Sequence, residues 1–231
     1  MEPFLKYKAR TLLNSLTNRV ERFLLILSSS IVLSGAAYAQ IQFPVAAPTP
    51  KVGEIVKYRN IDLWNNTELS TSESELVSVE ADGFVNRFKN TISPTPRTDR
   101  FNRSWQSCRS MQGSDKAVCG GSLNFPMQIG DKHSYDKHPW ASGLGHSSAN
   151  CEVKGDEKLT VPAGTYDTLR IACAGNYNRV FDGIRSGIYN ETVWYAPPIG
   201  RVVKSEFFDF RSNGTAFNKN QSVLIEFVGA K

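Results

Sequence analysis

The sequence predicts an all-β protein built as an antiparallel meander. After about residue 50, short runs rich in Val, Ile, Tyr, Phe and Thr alternate with Gly, Pro, Asn and Asp, which is typical of strands and their turns. Helical periodicity is almost absent from these runs. The 231 residues, 40% of them hydrophobic, suffice for one large domain or two small ones and exclude disordered, collagen-like and multi-span membrane proteins.

Residues 1–39 have the three parts of a secretory signal peptide. Basic residues dominate the first 22 positions, an apolar core follows over residues 23–33, and small residues lead to Ala37-Tyr38-Ala39. This pattern predicts export to the periplasm or the medium of a bacterium, with cleavage after Ala39. The alternative is a leader kept as a membrane anchor, although its apolar core is short for a span of about 20 residues.

The positive charge of the chain lies mainly in this leader. The whole sequence has 27 Lys and Arg against 22 Asp and Glu, and removing five basic and two acidic leader residues leaves 22 against 20, a net charge of +2. Nucleic-acid binding needs a basic face on the folded domain. We therefore expect no nucleic-acid partner, and contact with a membrane only through the export signal.

The elements after the leader are predicted in order. Residues 40–51, which contain three prolines, are expected to form an extended linker or a first edge segment, before a β-rich domain over residues 52–231. The clearest hairpin joins strands 158–161 and 165–173 through Pro162-Ala163-Gly164, a sequence suited to a turn. Strands at 191–195, 201–210 and 222–228 complete a meander.

An internal similarity suggests two related β units, residues 52–82 and 129–159. Val-Gly-Glu at residues 52–54 corresponds to Ile-Gly-Asp at 129–131, an offset of 129 − 52 = 77, and a tyrosine follows at 58 and at 135. A duplication would give two units that pack into one larger sheet or into two lobes, and coincidence is the alternative.

The four cysteines all follow the leader, and an even number in an exported chain predicts disulfides. Three connectivities are possible. Pairing Cys108 with Cys119 and Cys151 with Cys173 closes the smallest loops, and each bridge would stabilise the fold by about 3 kcal/mol. A four-cysteine zinc site is the alternative, but the chain has no C-x₂-C pair.

Residues 161–171 (VPAGTYDTLRI) and 194–206 (WYAPPIGRVVKSE) resemble a pair of motifs in uncharacterised exported proteins of Gram-negative bacteria. The segment at 52–58 is similar to the opening strand of those proteins, and the resemblance covers mainly residues 150–210. It implies a β-sheet domain of the open-barrel or clam type that works outside the cytoplasm; a sandwich is the alternative architecture. The family supplies no catalytic residues to carry over.

All three histidines lie in one short stretch. His133, His138 and His146, with Asp131 or Asp136, are candidate ligands for zinc or copper. Their spacing matches no established metal motif. A strand over 129–135 would place His133 and Tyr135 on one face, whereas the later histidines are expected in a solvated Gly/Ser loop.

Aromatic and basic residues provide the other candidate ligand-binding positions. Arg97, Arg100 and Arg103 recur at every third residue and precede Trp105, an arrangement that can bind anionic lipid or glycan. Trp140 is a further candidate. The alternative for the arginines is an exposed loop fixed by a nearby disulfide.

No motif in the sequence predicts catalysis or a cofactor. Residues 134–137 match the S-x-x-K pattern, but the downstream elements that accompany it in penicillin-recognising enzymes are missing. The sequence therefore predicts a non-enzymatic binding or structural module of the bacterial envelope, whose ligand is apolar, a glycan or a protein. The alternative is a metal-assisted hydrolase of an envelope substrate that uses the histidine stretch.

Overall fold

The structure is a computed structural model that describes residues 41–180 and 184–230. The predicted leader and its cleavage site lie outside these residues. Twelve strands and no helix are present in the described part of the chain, which therefore holds no helix able to cross a membrane. The strands are β1 Ile55–Asp62, β2 Thr67–Val79, β3 Gly83–Asn90, β4 Arg97–Asn102, β5 Ser107–Ser110, β6 Ala117–Gly120, β7 Lys132–Pro139, β8 Gly145–Val161, β9 Gly164–Val180, β10 Ile184–Ala196, β11 Arg201–Arg211 and β12 Ala216–Val228.

All twelve strands belong to one antiparallel sheet in the order β6-β5-β4-β3-β2-β1-β12-β11-β10-β9-β8-β7. Every neighbouring pair is consecutive in sequence except β1 and β12, which join the two ends of the described chain. The sheet curls until its edge strands β6 and β7 lie side by side. The result is a nearly closed barrel with one unsealed seam, and the predicted all-β meander is confirmed.

The two segments with similar sequences have the same local structure. The N–H of Gly53 donates to the carbonyl of Leu76 over 2.8 Å, and the N–H of Gly130 donates to that of Val153 over the same distance. Both glycines adopt positive φ, 90° and 91°, where a side chain would be strained. A β-bulge directly follows each carbonyl acceptor. The sheet thus divides into two six-stranded meanders, β1–β6 and β7–β12.

Inward-facing side chains of β8–β10 form the main core. Leu169 and Ile171 are completely buried and Cys173 is 3% exposed, because alternate side chains of a strand lie on the same face. A second apolar cluster involves the turn end of the β8–β9 hairpin and the strands β1 and β10–β12. Its buried members are Val56, Val161, Trp194, Ala196, Val203, Val223 and Leu224.

The proline-rich segment before β1 packs against the barrel. Val45 is 6% exposed in the main core and exchanges two backbone hydrogen bonds with Met127, of 2.7 and 2.9 Å. The carbonyl of Pro48 accepts a 2.9 Å hydrogen bond from the indole N–H of Trp105. Because the side chain of Val45 is buried, this part of the segment is held against the barrel.

Both disulfides join residues that lie directly opposite each other on neighbouring strands. Cys108 pairs with Cys119 across β5 and β6, and Cys151 pairs with Cys173 across β8 and β9. The Cα atoms are 4.0 Å apart in each bridge. The connectivity that closes the smallest loops is therefore confirmed.

Candidate functional site

A cavity of about 320 Å³ lies on the inner face of the second meander, at the lower end of the ~300–1,000 Å³ range of ligand pockets. Its walls combine aromatic rings with a few polar side chains, which is the usual composition of a small-molecule site. The aromatic members are Tyr135, Trp140, Tyr177, Tyr189 and Phe207, and the polar members are Ser147, Arg179, Glu191, Asp209 and Asn218. We call this space the aromatic cavity.

Glycines on the strands give the aromatic rings their positions. A Cβ atom on Gly175 would lie 2.6 Å from the ring of Tyr189, so the missing side chain allows the ring to lie across the neighbouring strand. Two further rings of the aromatic cavity are seated in the same way. The pairs are Gly145 with Trp140, Gly175 with Tyr189, and Gly187 with Tyr177.

Two tyrosine hydroxyls meet in the aromatic cavity. The Oη atoms of Tyr135 and Tyr189 are 2.6 Å apart, and burial raises the pKa of both phenols. Both therefore stay protonated at neutral pH, where one hydroxyl donates to the other. The accepting hydroxyl keeps its own proton, and the side chain of Ser147 also bonds to the pair.

Two carboxyl groups line the aromatic cavity, and each accepts a hydrogen bond from the protein. Asp209 is 6% exposed and accepts bonds from the backbone N–H and the side-chain amide of Asn218, of 2.6 and 3.2 Å. Glu191 is half-buried and accepts a bond from the hydroxyl of Ser122. Burial raises the pKa of Glu191, against the opposing effect of the Ser122 hydroxyl.

Glu191 also borders a second cavity of about 370 Å³, whose lining comes largely from the first meander. Trp105 and Arg201 contribute to its wall. The Arg201 guanidinium lies 4.4 Å from the centre of the Trp105 ring and forms an ion pair with Glu54. Phe84 contacts Trp105, with 4.4 Å between the ring centres. Trp105, a candidate ligand-binding residue, is thus occupied by contacts within the protein.

The structure does not bring the three predicted arginines together. The Arg97 guanidinium lies 4.0 Å from the centre of the Phe88 ring, and Arg100 forms two bonds with Glu80, of 3.0 and 3.4 Å. Because side chains alternate along a strand, Arg97 and Arg100 lie on opposite faces of β4. Arg103 follows the strand and donates to the backbone carbonyl of Glu80 over 2.6 Å. Of the candidate ligand-binding residues, Trp140 lines the aromatic cavity.

The three histidines do not converge on one point either. His133 and Tyr135 lie on the same face of β7, as predicted. His138 also belongs to β7, whereas His146 lies at the start of β8 and contacts Asn178. Across residues 41–180 and 184–230, no group of three His, Cys, Asp or Glu side chains is placed to hold a metal ion.

His138 and His133 instead connect the two sides of the seam. The Nε2 of His138 donates to the carbonyl of Ser107 on β5 over 2.9 Å, and the Nε2 of His133 lies 3.1 Å from the carbonyl of Gly121. Burial lowers the pKa of His138 to about 4, and the positive charge of Arg109 lowers it further.

A solvated loop position is therefore wrong for His138, which is 7% exposed. A β-bulge between Tyr135 and His138 adds one residue to β7. The strand continues past the bulge, and the imidazole faces the same side as the ring of Tyr135.

The sequence did not single out most of the aromatic cavity. Tyr177, Tyr189 and Phe207 occur in strand-like runs, where an inward aromatic ring cannot be distinguished from ordinary core. One signal was present: glycines interrupt the β9 and β10 runs at 175 and 187, and a glycine inside a strand often marks a place where another group approaches closely.

No protein-family model matches the sequence, and no curated protein matches it. Solved structures give similarities at low identity. A protein described as exported and as having a YmcC-like fold, from Bacteroides fragilis NCTC 9343, is 15% identical with a TM-score of 0.49, and the match covers 80% of this chain and all of the other. A protein described as a lipoprotein, from Parabacteroides distasonis ATCC 8503, is 16% identical with a TM-score of 0.47, over 81% of this chain and all of the other.

The hypothetical lipoprotein YmcC from Escherichia coli K12 is 8% identical with a TM-score of 0.35, over 77% of this chain and 86% of the other. These three proteins are thus described as exported proteins or lipoproteins of Gram-negative bacteria. None of the three similarities bears on the function of this chain.

Proposed function

We propose that this protein is a non-enzymatic binding module of the bacterial cell envelope that holds a saccharide in the aromatic cavity. The observation that carries the proposal is the composition of the cavity wall, in which five aromatic rings stand beside hydroxyl, amide and carboxyl groups. A pyranose ring has apolar C–H bonds on its faces and hydroxyl groups around its edge. Such a ligand matches aromatic faces and hydrogen-bonding groups in the same small space.

The polar groups of the cavity suit the edge of a sugar. The tyrosine pair has one O–H to donate, while Glu191 and Asp209 can accept from sugar hydroxyls with their remaining lone pairs. A purely apolar ligand would leave the remaining lone pairs of these carboxyl groups unused, whereas sugar hydroxyls can donate to them. A saccharide is therefore favoured over the apolar ligand that the sequence also allowed.

The protein itself binds both carboxyl groups of the aromatic cavity. Both oxygens of Asp209 accept hydrogen bonds from Asn218, and Glu191 is bonded to Ser122. Each carboxyl group is therefore oriented by the protein itself. A location in the envelope is supported by the leader pattern at residues 1–39 and by the two disulfides, which persist in oxidising compartments.

Binding can be tested by tryptophan fluorescence against a panel of mono- and oligosaccharides. We expect a saturable change with at least one sugar, and Trp140→Ala should weaken that binding about tenfold or more, because an aromatic residue lining the site is lost. Trp64→Ala is the matched control. Trp64 is 58% exposed in the β1–β2 turn and is absent from the cavity lining.

Chromatography of the same mixtures tests for turnover. Release of shorter sugars by the wild-type protein, abolished in Glu191→Gln, would replace the binding function with hydrolysis. Equal loss of binding in Trp140→Ala and Trp64→Ala would show that the aromatic cavity is not the site.

A further inference from the structure

A basic recess of about 340 Å³ adjoins the aromatic cavity and shares Tyr177 and Arg179 with it. Its other lining residues come from β10 and from the end of β11, the β11–β12 turn and the start of β12, and they include Ser186, Arg211 and Asn213. The described lining contains no Asp or Glu. We call this space the basic recess.

No acidic partner of the two guanidinium groups of the basic recess is found among residues 41–180 and 184–230. Arg179 lies against the ring of Trp140 at 5.7 Å and Arg211 against that of Phe217 at 4.6 Å, and neither forms an ion pair with a carboxylate in the described ranges. Several other basic residues of the second meander, such as Arg170 and Lys204, pair with glutamates. The positive charge of the recess is therefore available to a ligand.

Neutral donors add to the two charges. The Asn213 side-chain oxygen accepts a 3.0 Å bond from the N–H of Thr215, which leaves its amide N–H groups without a partner in the described structure. The hydroxyls of Ser186 and Ser212 likewise have no partner there. Guanidinium, amide and hydroxyl donors without a nearby acceptor form a set suited to an oxyanion.

Of the described carboxylates, that of Asp209 acts on this region. Burial raises the pKa of Tyr177 and Asp209 raises it further, whereas Arg179 and Arg211 lower it, so all three charges act on this one phenol. Asp209 is buried and bonded to Asn218. Among the described residues whose charges act on Tyr177, two guanidinium groups thus stand against one carboxylate.

We propose that the basic recess binds an anionic substituent of the saccharide, a carboxylate or a phosphate ester, while the sugar ring occupies the aromatic cavity. This inference rests on the proposed function and adds the ligand class to it. Tyr177 and Arg179 line both spaces, so a single acidic sugar residue, or two adjacent ones, would contact both. The ligand is therefore an acidic saccharide.

The test compares charged sugars with their neutral counterparts by NMR on the full mature chain. The probes are glucuronate against its methyl ester, and glucose 6-phosphate against glucose. We expect the charged member of at least one pair to bind about tenfold or more tightly than the neutral one and to shift the side-chain Nε–H signals of Arg179 and Arg211. Each of Arg179→Gln and Arg211→Gln should remove about a tenfold preference, the value of one charge-assisted hydrogen bond.

Arg100→Gln is the control, because Arg100 is exposed on β4 and already paired with Glu80. Comparing the glucuronate probes with the glucose 6-phosphate probes shows whether the basic recess prefers a carboxylate or a phosphate. Equal binding of charged and neutral sugars, unaffected by Arg179→Gln, would overturn the acidic class while leaving saccharide binding intact. Charge-dependent shifts at the arginines without any effect of Trp140→Ala would keep the anion site and remove the aromatic cavity from the function. Absence of any shift with all four probes would overturn the inference.

Discussion

Replacing His138 by Gln should make the stability of the barrel less sensitive to acid. His138 is 7% exposed, and its pKa is lowered from 6.5 to about 4. Between these values the unfolded chain binds a proton that the folded protein does not bind, so the free energy of unfolding decreases as the pH falls from about 6.5 to about 4. One pKa unit is worth about 1.4 kcal/mol, which gives a loss of about 3 kcal/mol from this one imidazole.

Urea unfolding at about pH 7.5 and about pH 4 measures this loss. The side-chain amide of Gln can still donate to the carbonyl of Ser107, so the variant keeps the bond across the seam but does not titrate. Its loss of stability between the two pH values should be smaller than that of the wild type by about 3 kcal/mol. His146→Gln, which removes a histidine away from the seam, should behave as the wild type. Equal acid sensitivity in His138→Gln and the wild type would refute the role of the buried imidazole.

Two further substitutions test the packing of the barrel by chemical denaturation. Gly175→Ala should destabilise the protein by about 1–3 kcal/mol, because the new Cβ would lie 2.4 Å from the backbone oxygen of Ser148 and 2.6 Å from the ring of Tyr189. The control is Gly229→Ala, which should leave the stability unchanged because no atom lies within 4 Å of its Cβ position. Equal stability of the two variants would contradict the close approach. Glu54→Gln should lower the free energy of unfolding by about 3–5 kcal/mol, because it leaves Arg201 buried without a counter-charge. The control is Glu226→Gln, which breaks an exposed pair. An equal loss of stability in the two variants would show that the buried pair contributes little.

The strands of the second meander were predictable because local patterns dominate there. Alternation of apolar residues over 165–173 identified β9, and Pro-Ala-Gly located the preceding turn, although β9 extends seven residues further, to Val180. The sequence of this extension lacks apolar alternation, because Gly175 and the two asparagines that follow it interrupt the pattern. The disulfides were predictable for a related reason: in a meander, cysteines close in sequence fall on adjacent strands.

The candidate site was less predictable, because it depends on register. Tyr177 and Gly187 are opposite each other only through the β9–β10 pairing, and nothing in either run fixes that register. The position of His138 depends on a single added residue in β7, since without the bulge its ring would point to the other face. Local sequence patterns cannot reveal a one-residue change of this kind. Trp140 was found because aromatic residues in a polar stretch are conspicuous, but its neighbours in space come from distant strands.

The division into two meanders explains where the barrel stays open. If β1–β6 correspond to β7–β12, then β1 is equivalent to β7 and β6 is equivalent to β12. The pair formed by β1 and β12 is then equivalent to a pair formed by β7 and β6. The first pair forms a ladder from Ile55 to Asp62, but β6 has only four residues and cannot form a ladder of that length. Imidazole-to-carbonyl bonds replace part of the missing backbone bonds, and the position of His133 corresponds to that of Val56 in β1. In that correspondence the seam is the weakly joined member of two equivalent junctions, and an imidazole lies where the other junction has an apolar side chain.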